Sequence, residues 1–450
     1  RLTGEWAPGL DINSANNTIK GLQINGFQSP AIVLQGSGGN VIGGDRSRGS
    51  AILGEANIIY GYQFTGIASS SASNLIIGNQ IGTDPSGLPA PGGQRRGIGI
   101  YQSSPGPVDG GDRIEGNVIA GNIDAEIYLQ NARGNTIIGN FLGTDAGGTA
   151  RVGAAFQSIA SSFAADNLIT GNVIANMVNL TDPGSYCNRV TNNWIGVARN
   201  GSSLTSQGQW AGVSIREPFN LVSENVLDIV GVAGLYSRTS DTVIMGNTVG
   251  AESRQALSGI HVSAASRTFI EGNSVYASPR GIWLESGVSA TFISRNTIMG
   301  NDDGISIDAA DTSVIQENVI ARNGGAGVVV SSPTHRIRRN SIFENATAPI
   351  AITTGAPVPQ PPSITSVTLS AVEGSACSGC TVEIFSDSGS QGRRYEGSVV
   401  AAASGKFTFT GAVAGPNVTA TATEADGSTS AFSLPAARPP SPPRRRAVRH

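Results

Sequence analysis

Apolar residues along most of this chain come in short pairs set apart by small or polar residues. One phrase keeps returning: an apolar pair, two small or polar residues, Asn, then a second apolar pair. It reads LIIGNQI at 75–81, RIEGNVI at 113–119, LITGNVI at 168–174, VIMGNTV at 243–249, FISRNTI at 292–298 and RIRRNSI at 336–342. β-Branched residues alternate with polar ones and Gly or Asn interrupts every few positions, so no helical period survives. The aligned asparagines are Asn79, Asn117, Asn140, Asn172, Asn193, Asn225, Asn247, Asn273, Asn296, Asn318 and Asn340, at spacings of 21 to 38 residues around a base period of 22. Self-similarity at such a period marks a solenoid. Each period predicts one coil of short strands, with apolar side chains inward and hydrogen bonds running from coil to coil.

The asparagine column has a physical reason. A residue repeated once per coil stacks on its equivalents about 4.8 Å apart, where side-chain amides bond up and down as a ladder. Asn also tolerates the left-handed backbone that a sharp corner demands. Three coils carry extra length, opening with IGTDPSG at 81–87, LGTDAGG at 142–148 and IGVARNG at 195–201. They start at one phase of the repeat, so these loops are expected on one side of the solenoid, where recognition commonly sits.

Composition narrows the functional classes. Charged residues make up 14% of the 450 and there are 60 glycines, the profile of many short strands joined by tight turns. A formal net charge of −3 provides no basic face for a phosphate backbone, so nucleic acid is set aside. No stretch approaches the roughly 20 apolar residues of a membrane-spanning helix, and no basic start plus apolar core marks a signal peptide at Arg1. Only Lys20 and Lys406 are lysines among 29 basic residues, a bias that points to a GC-rich bacterial source. Cys187 stands alone. Cys377 and Cys380 form a CxxC without the second CxxC or histidines of a zinc site and without the βαβ context of a redox pair, so a local disulfide is the expected state.

The N-I-x-G-N-x-I-G-T-D-x-x-G phrases resemble those of bacterial secreted right-handed β-helix repeat proteins, in the broad pectate-lyase-like superfamily. The resemblance covers roughly residues 10–354 and implies an all-β, right-handed parallel β-helix over residues 1–354. It implies no single activity, since that superfamily holds lyases, hydrolases, uronate epimerases, tailspikes, adhesins and silent surface proteins. Residues 355–362 (GAPVPQPP) read as a stiff proline-rich linker. Residues 363–434 alternate as strands in SVTLSAVEG, CTVEIFSDS, KFTFTGAV, NVTATATEADG and TSAFSL, and resemble the Ig-like β-sandwich modules that end many bacterial surface proteins. Residues 435–450 are a Pro/Arg-rich tail that cannot pack a core.

A second phrase, G-I-x-I-x, identifies outward positions of one sheet, because its two x residues point away from the core. The first outward column runs Ser214, Tyr236, His261, Trp283, Ser306, Val329 and the second Arg216, Arg238, Ser263, Glu285, Asp308, Ser331. Aromatic rings stack on the apolar faces of pyranoses while charged groups bond hydroxyls or uronates, so Tyr236, His261, Trp283 and Arg216 are candidate substrate contacts. Glu285 and Asp308 fall on adjacent coils, near the carboxylate separation of a retaining glycosidase. With Arg238 they form the candidate catalytic set, beside the plainer reading of a surface ion-pair network. GNDDGISI at 300–307 is similar to the paired-aspartate segment of polygalacturonases, without the Gly-His-Gly or Arg-Ile-Lys that accompany it there, so Asp302 and Asp303 read as turn residues. The superfamily's lyases imply a base plus calcium or arginine to hold the acid. Arg216 and Arg238 are available, no acidic cluster of the kind calcium takes accompanies them, and no other cofactor or metal is called for.

Three functions follow as expectations. The first is an extracellular or cell-surface structural protein that self-associates as a fibre, sheath or surface layer, with other copies or cell-envelope components as partners. The second is a polysaccharide lyase, glycoside hydrolase or uronate epimerase. The third is a non-catalytic binder of extracellular polysaccharide. A coil pattern that begins almost at Arg1, with no amphipathic helix before it, favours the first, since unshielded solenoid ends present strand edges that pair with other chains.

Overall fold

In the computed structural model the described residues are 7–440 except 92, 103–109, 154, 205–210, 229–230, 251–255, 309–311, 333, 354 and 356–357. The tail beyond 440 and part of the linker therefore lie outside the described residues. The chain divides into two compact units, residues 1–269 and 270–450.

In the first unit the repeat folds as expected, each coil giving one short strand to each of three parallel sheets. One coil, for example, contributes Arg96–Tyr101, Arg113–Glu115 and Val118–Ile119. The inward positions stack in columns: Ile67, Ile98, Ile127 and Ile159 in the first sheet, Ile76, Ile114, Ile137 and Ile169 in the second, and Ile81, Ile119, Leu142 and Ile174 in the third. All twelve are fully buried. Burying a large aliphatic side chain contributes roughly 1.5–3 kcal/mol, repeated at every coil.

The predicted asparagine column is a ladder at the corner between the second and third sheets. Asn57, Asn79, Asn117, Asn140, Asn172, Asn193 and Asn225 each donate a side-chain N–H to the Oδ1 of the next member, the last of these to Asn247, over 2.9–3.0 Å. The backbone N–H of Asn79 and its successors through Asn225 reaches the same oxygen. The residue before the asparagine has a positive φ, between 56° and 70°, at Gly78, Gly116, Gly139, Gly171, Asn192, Glu224 and Gly246. That backbone conformation suits Gly best, which explains the recurring Gly-Asn.

A second ladder turns the corner between the first and second sheets. Asn40 donates to Asn74 and Asn74 to Asp112, and Asn135 donates to Asn167 and Asn167 to Asn188. Asp112 interrupts the amides with a carboxyl group. Its Oδ1 accepts the backbone and side-chain N–H of Asn74 at 2.7 and 3.0 Å, and its Oδ2 accepts the Ser69 hydroxyl at 3.1 Å. Burial pushes its pKa up to about 6, against the lowering effect of those donors.

The second unit repeats the coil. Ile282, Ile305, Val328 and Ile350 stack in the first sheet, and Asn273, Asn296, Asn318 and Asn340 form a ladder at 2.9–3.0 Å. A further ladder runs Asn301, Asn323, Asn345. At the positive-φ corner Gly gives way to Arg295, Glu317 and Arg339, which pair coil to coil: Arg295 with Glu317 at 3.3 Å and Arg339 with Glu317 at 4.0 Å.

After the last coil come two antiparallel sheets. Ser363–Val367, Ala371–Ser375 and Lys406–Thr410 form one. Arg394–Val400, Thr381–Asp387, Asn417–Thr423 and Ala436–Ala437 form the other. Val372 and Phe407 of the first sheet pack with Val382, Ile384, Val418 and Ala420 of the second, making a small sandwich. Arg394–Val400 was not anticipated, because its Arg, Glu, Gly and Ser mask the alternation. TSAFSL is not a regular strand. Its place beside Asn417–Thr423 is held by Ser430 and Ser433, whose hydroxyls accept the N–H of Ala422 and Ala420 at 2.9 Å.

Two predictions follow. Asn193→Ala leaves buried donors and acceptors of both neighbouring coils unpaired and is expected to cost about 3 kcal/mol in urea unfolding. For Asp112, a pKa raised on folding means that its stability contribution is complete below about 3.8 and is lost as pH rises through about 6. Asp112→Asn restores the amide ladder and is expected to gain up to about 3 kcal/mol at pH 8, and almost nothing at pH 3.5, in thermal unfolding.

Candidate functional site

The outward face of the first sheet is where the anticipated site residues fall, and in the first unit the register of the outward column is as read: Ser214 beside Tyr236, Tyr236 beside His261. Their exposure is not. Tyr236 is 7% exposed and His261 4%, their rings 5.0 Å apart. Tyr236 packs in a buried cluster with Met177, Ala211 and Ala233, and the His261 ring lies against it. An open sugar-stacking face is not present at these two residues. Arg216 and Arg238 are exposed at the strand ends.

Earlier coils of the same sheet carry a group that the sequence reading passed over. Arg96 lays its guanidinium 3.7 Å above the Tyr128 ring and donates to the Tyr101 hydroxyl at 3.1 Å. Thr65 Oγ1 lies 3.1 Å from the same hydroxyl, and Tyr101 and Tyr128 stand 6.0 Å apart. Gly99 makes this possible, since a Cβ there would sit 2.3 Å from the Tyr101 ring; the phenol lies across the bare backbone. Beside it opens a cleft of about 200 Å³ lined by Pro30, Phe64, Thr65, Ala68, Arg95, Arg96 and Tyr101. Arg95 is held by Asp124 at 2.8 Å. The sequence signal was available: GIGIY at 97–101 and EIYLQ at 126–130 are variants of the outward phrase traced only from residue 212 onward.

In the second unit Trp283 is half-buried, its indole N–H donating to Asp308 Oδ2 at 2.7 Å, with the Arg280 guanidinium 4.2 Å from its ring. The backbone N–H of Asp308 bonds the Leu284 carbonyl, which aligns Asp308 with Glu285 on adjacent coils. Asp303 is in register with Arg280 and accepts the Ala326 N–H at 2.9 Å, so it is a strand residue and not a turn residue. Arg238 belongs to the first unit and Glu285 and Asp308 to the second.

Burial pushes the pKa of three carboxyl groups upward, those of Asp112, Glu126 and Glu383. Asp112 belongs to a ladder. Glu126 is wholly buried inside the coil and raised well above its ordinary range by burial, receiving the Asn122 amide, whose oxygen in turn accepts the Tyr62 hydroxyl at 2.6 Å. Glu383 lies in the sandwich and is pushed up to about 7 by burial. Cys377 and Cys380 are joined in a disulfide. Although Glu424 lies close enough to complete a ligand-like trio with them, paired sulfurs are not thiolate ligands.

A family profile described as a right handed beta helix region matches residues 211–360. The fold is a right-handed parallel β-helix. No curated protein matches the sequence. Among solved structures the chain is similar to the Dettilon tailspike protein, at 16% identity over 91% of this chain and 74% of that one, with a TM-score of 0.42. It is similar to the A-module of the Azotobacter vinelandii mannuronan C-5 epimerase AlgE4, at 14% identity over 78% and 90%, with a TM-score of 0.39. It is also similar to PfbA, a surface adhesin of Streptococcus pneumoniae, at 10% identity over 76% and 85%, with a TM-score of 0.33.

Proposed function

We propose that this chain is a β-helix scaffold working outside the cytoplasm, whose outward first sheet holds an acidic polysaccharide without cleaving it. The observation that carries the reading is the Arg96–Tyr101–Tyr128 group beside its cleft. Partly exposed phenol rings offer a stacking face for a pyranose, and the adjoining arginines offer bidentate partners for a uronate carboxylate. An arginine over an aromatic ring recurs at Arg280 and Trp283. The disulfide between Cys377 and Cys380 suits an oxidising compartment.

A catalytic reading, as lyase, hydrolase or epimerase, draws on Glu285 and Asp308 lying on adjacent coils. It is the weaker one. Asp308 is already engaged by the Trp283 indole.

Titration calorimetry with uronate-containing and neutral oligosaccharides separates the readings. The acidic oligosaccharides are expected to bind, and Tyr128→Ala to weaken them roughly tenfold or more, as the loss of a stacking face of about 1–2 kcal/mol implies. Equal affinity in Tyr128→Ala would remove the proposed site. Shortening or unsaturation of the polymer by the wild type, abolished in Glu285→Gln, would replace binding with catalysis.

A further inference from the structure

The last coil of a parallel solenoid presents unpaired backbone N–H and C=O groups and the open end of each ladder, a template for another strand. Here that end is occupied by the sandwich. Gln391 stands where the next asparagine of the third ladder would. Its Oε1 accepts the backbone N–H of Asn345 at 3.1 Å and its side-chain N–H at 3.2 Å, and its own amide returns a bond to the Asn345 carbonyl at 2.7 Å. Gly392 forms an antiparallel bridge with Ile342 through two backbone hydrogen bonds of 3.0 and 2.7 Å, at the edge of the third sheet where a further coil would add a parallel strand. Thr429 Oγ1 accepts the Ile337 N–H at 3.1 Å at the same edge of the second. Glu383 accepts the Arg339 N–H at 2.8 Å, as the Arg338 carbonyl does for Glu317 one coil earlier. Between these polar bonds Ile337, Ile342 and Ile350 meet Phe385 and Phe432, leaving almost no space.

Gln391, Gly392, Thr429 and Glu383 thus each meet a backbone group of the last coil that a further coil would otherwise meet. We propose that residues 363–437 are an end cap that mimics a further coil, and that their function is to keep the last coil from pairing edge to edge with a second copy of this chain. The occupant is a second copy because a coil edge of parallel strands is complementary to another coil of the same repeat. This role is independent of polysaccharide binding. It concerns the last coil alone, and the expectation of assembly through the first coil, near Arg1, stands apart from it.

Glu383 makes the docking sensitive to pH. It is 3% exposed and faces Arg338 and Arg339, with Arg336, Thr381, Thr423 and Glu424 around the same crevice. Burial outweighs the arginines, so the protonated form is favoured when docked. The contribution is complete below the ordinary carboxyl pKa of 4.5 and is lost as pH rises through about 7.

The test uses the full chain. Hydrogen exchange at the amides of Ile337, Arg339, Ile342 and Asn345 is compared between wild type and Gln391→Ala, with sedimentation velocity over a concentration series. The variant is expected to exchange on the order of a hundredfold faster at Ile342 and Asn345, as loss of two to three hydrogen bonds implies, with earlier coils unchanged and dimers or larger species growing with concentration. Should the variant fail to fold, wild type at pH 8.5 against pH 5, corrected for intrinsic exchange, is expected to open the same amides and associate at the higher pH. Unchanged protection in both comparisons would overturn the cap; opened amides in a chain that stays monomeric at every concentration would overturn its guarding role.

Discussion

A solenoid coil must turn three sharp corners without leaving a polar group dry, and the asparagine side chain is what satisfies that constraint here. At Asn193 one oxygen accepts both the backbone and the side-chain N–H of Asn172, while the amide reaches the Ile169 carbonyl and Asn225. One side chain thus ties successive coils together and stands in for the water that a turn would otherwise need. Once that bond is in place the flanking apolar positions are fixed as inward or outward, and stacked isoleucine columns follow. The ladder sets the register; burial supplies most of the stabilisation.

The same constraint separates structural from functional polar chemistry. Asp112 and Glu126 are carboxyl groups set among amides and hydroxyls in the interior, where their protonation answers to folding. The polar groups on the outward first sheet are of another kind: guanidinium over ring, phenol across a bare glycine, indole on a carboxylate. Those contacts hold half-buried side chains in place at the surface. Rigid presentation of this sort lowers the ordering cost of gripping a polymer.

The fold was readable because a 22-residue period repeats one physical solution many times, and the Gly-Asn corner is visible in single letters. The second ladder was less so, because Asp112 breaks the run of asparagines, and only coordinates show that Asn74, Asp112 and Asn135 share a corner. Outward orientation was correct for Tyr236 and His261, yet orientation is not exposure: the tyrosine packs in a buried cluster with Met177 and two alanines, and no periodicity encodes that. Trp283 and Asp308 were placed on adjacent coils correctly, while their bond depends on rotamers. Docking of the sandwich was illegible, since Gln391 acts as an asparagine only through a longer side chain arriving from another domain.

The positive-φ position before each ladder asparagine has a consequence of its own. At Gly116 and Gly139 an added Cβ would meet nothing within 4 Å, whereas Asn117 and Asn140, and Ile114 and Ile137 two residues back, are wholly enclosed. Elsewhere the same position already holds Glu224, Arg295, Glu317 and Arg339. Within each unit the position recurs once per coil, with about 4.8 Å between successive occurrences. A charged side chain at Gly116 or Gly139 would bear the backbone cost of a positive φ without touching the core, whereas at Gly78 its Cβ would lie 2.2 Å from the Gly44 carbonyl.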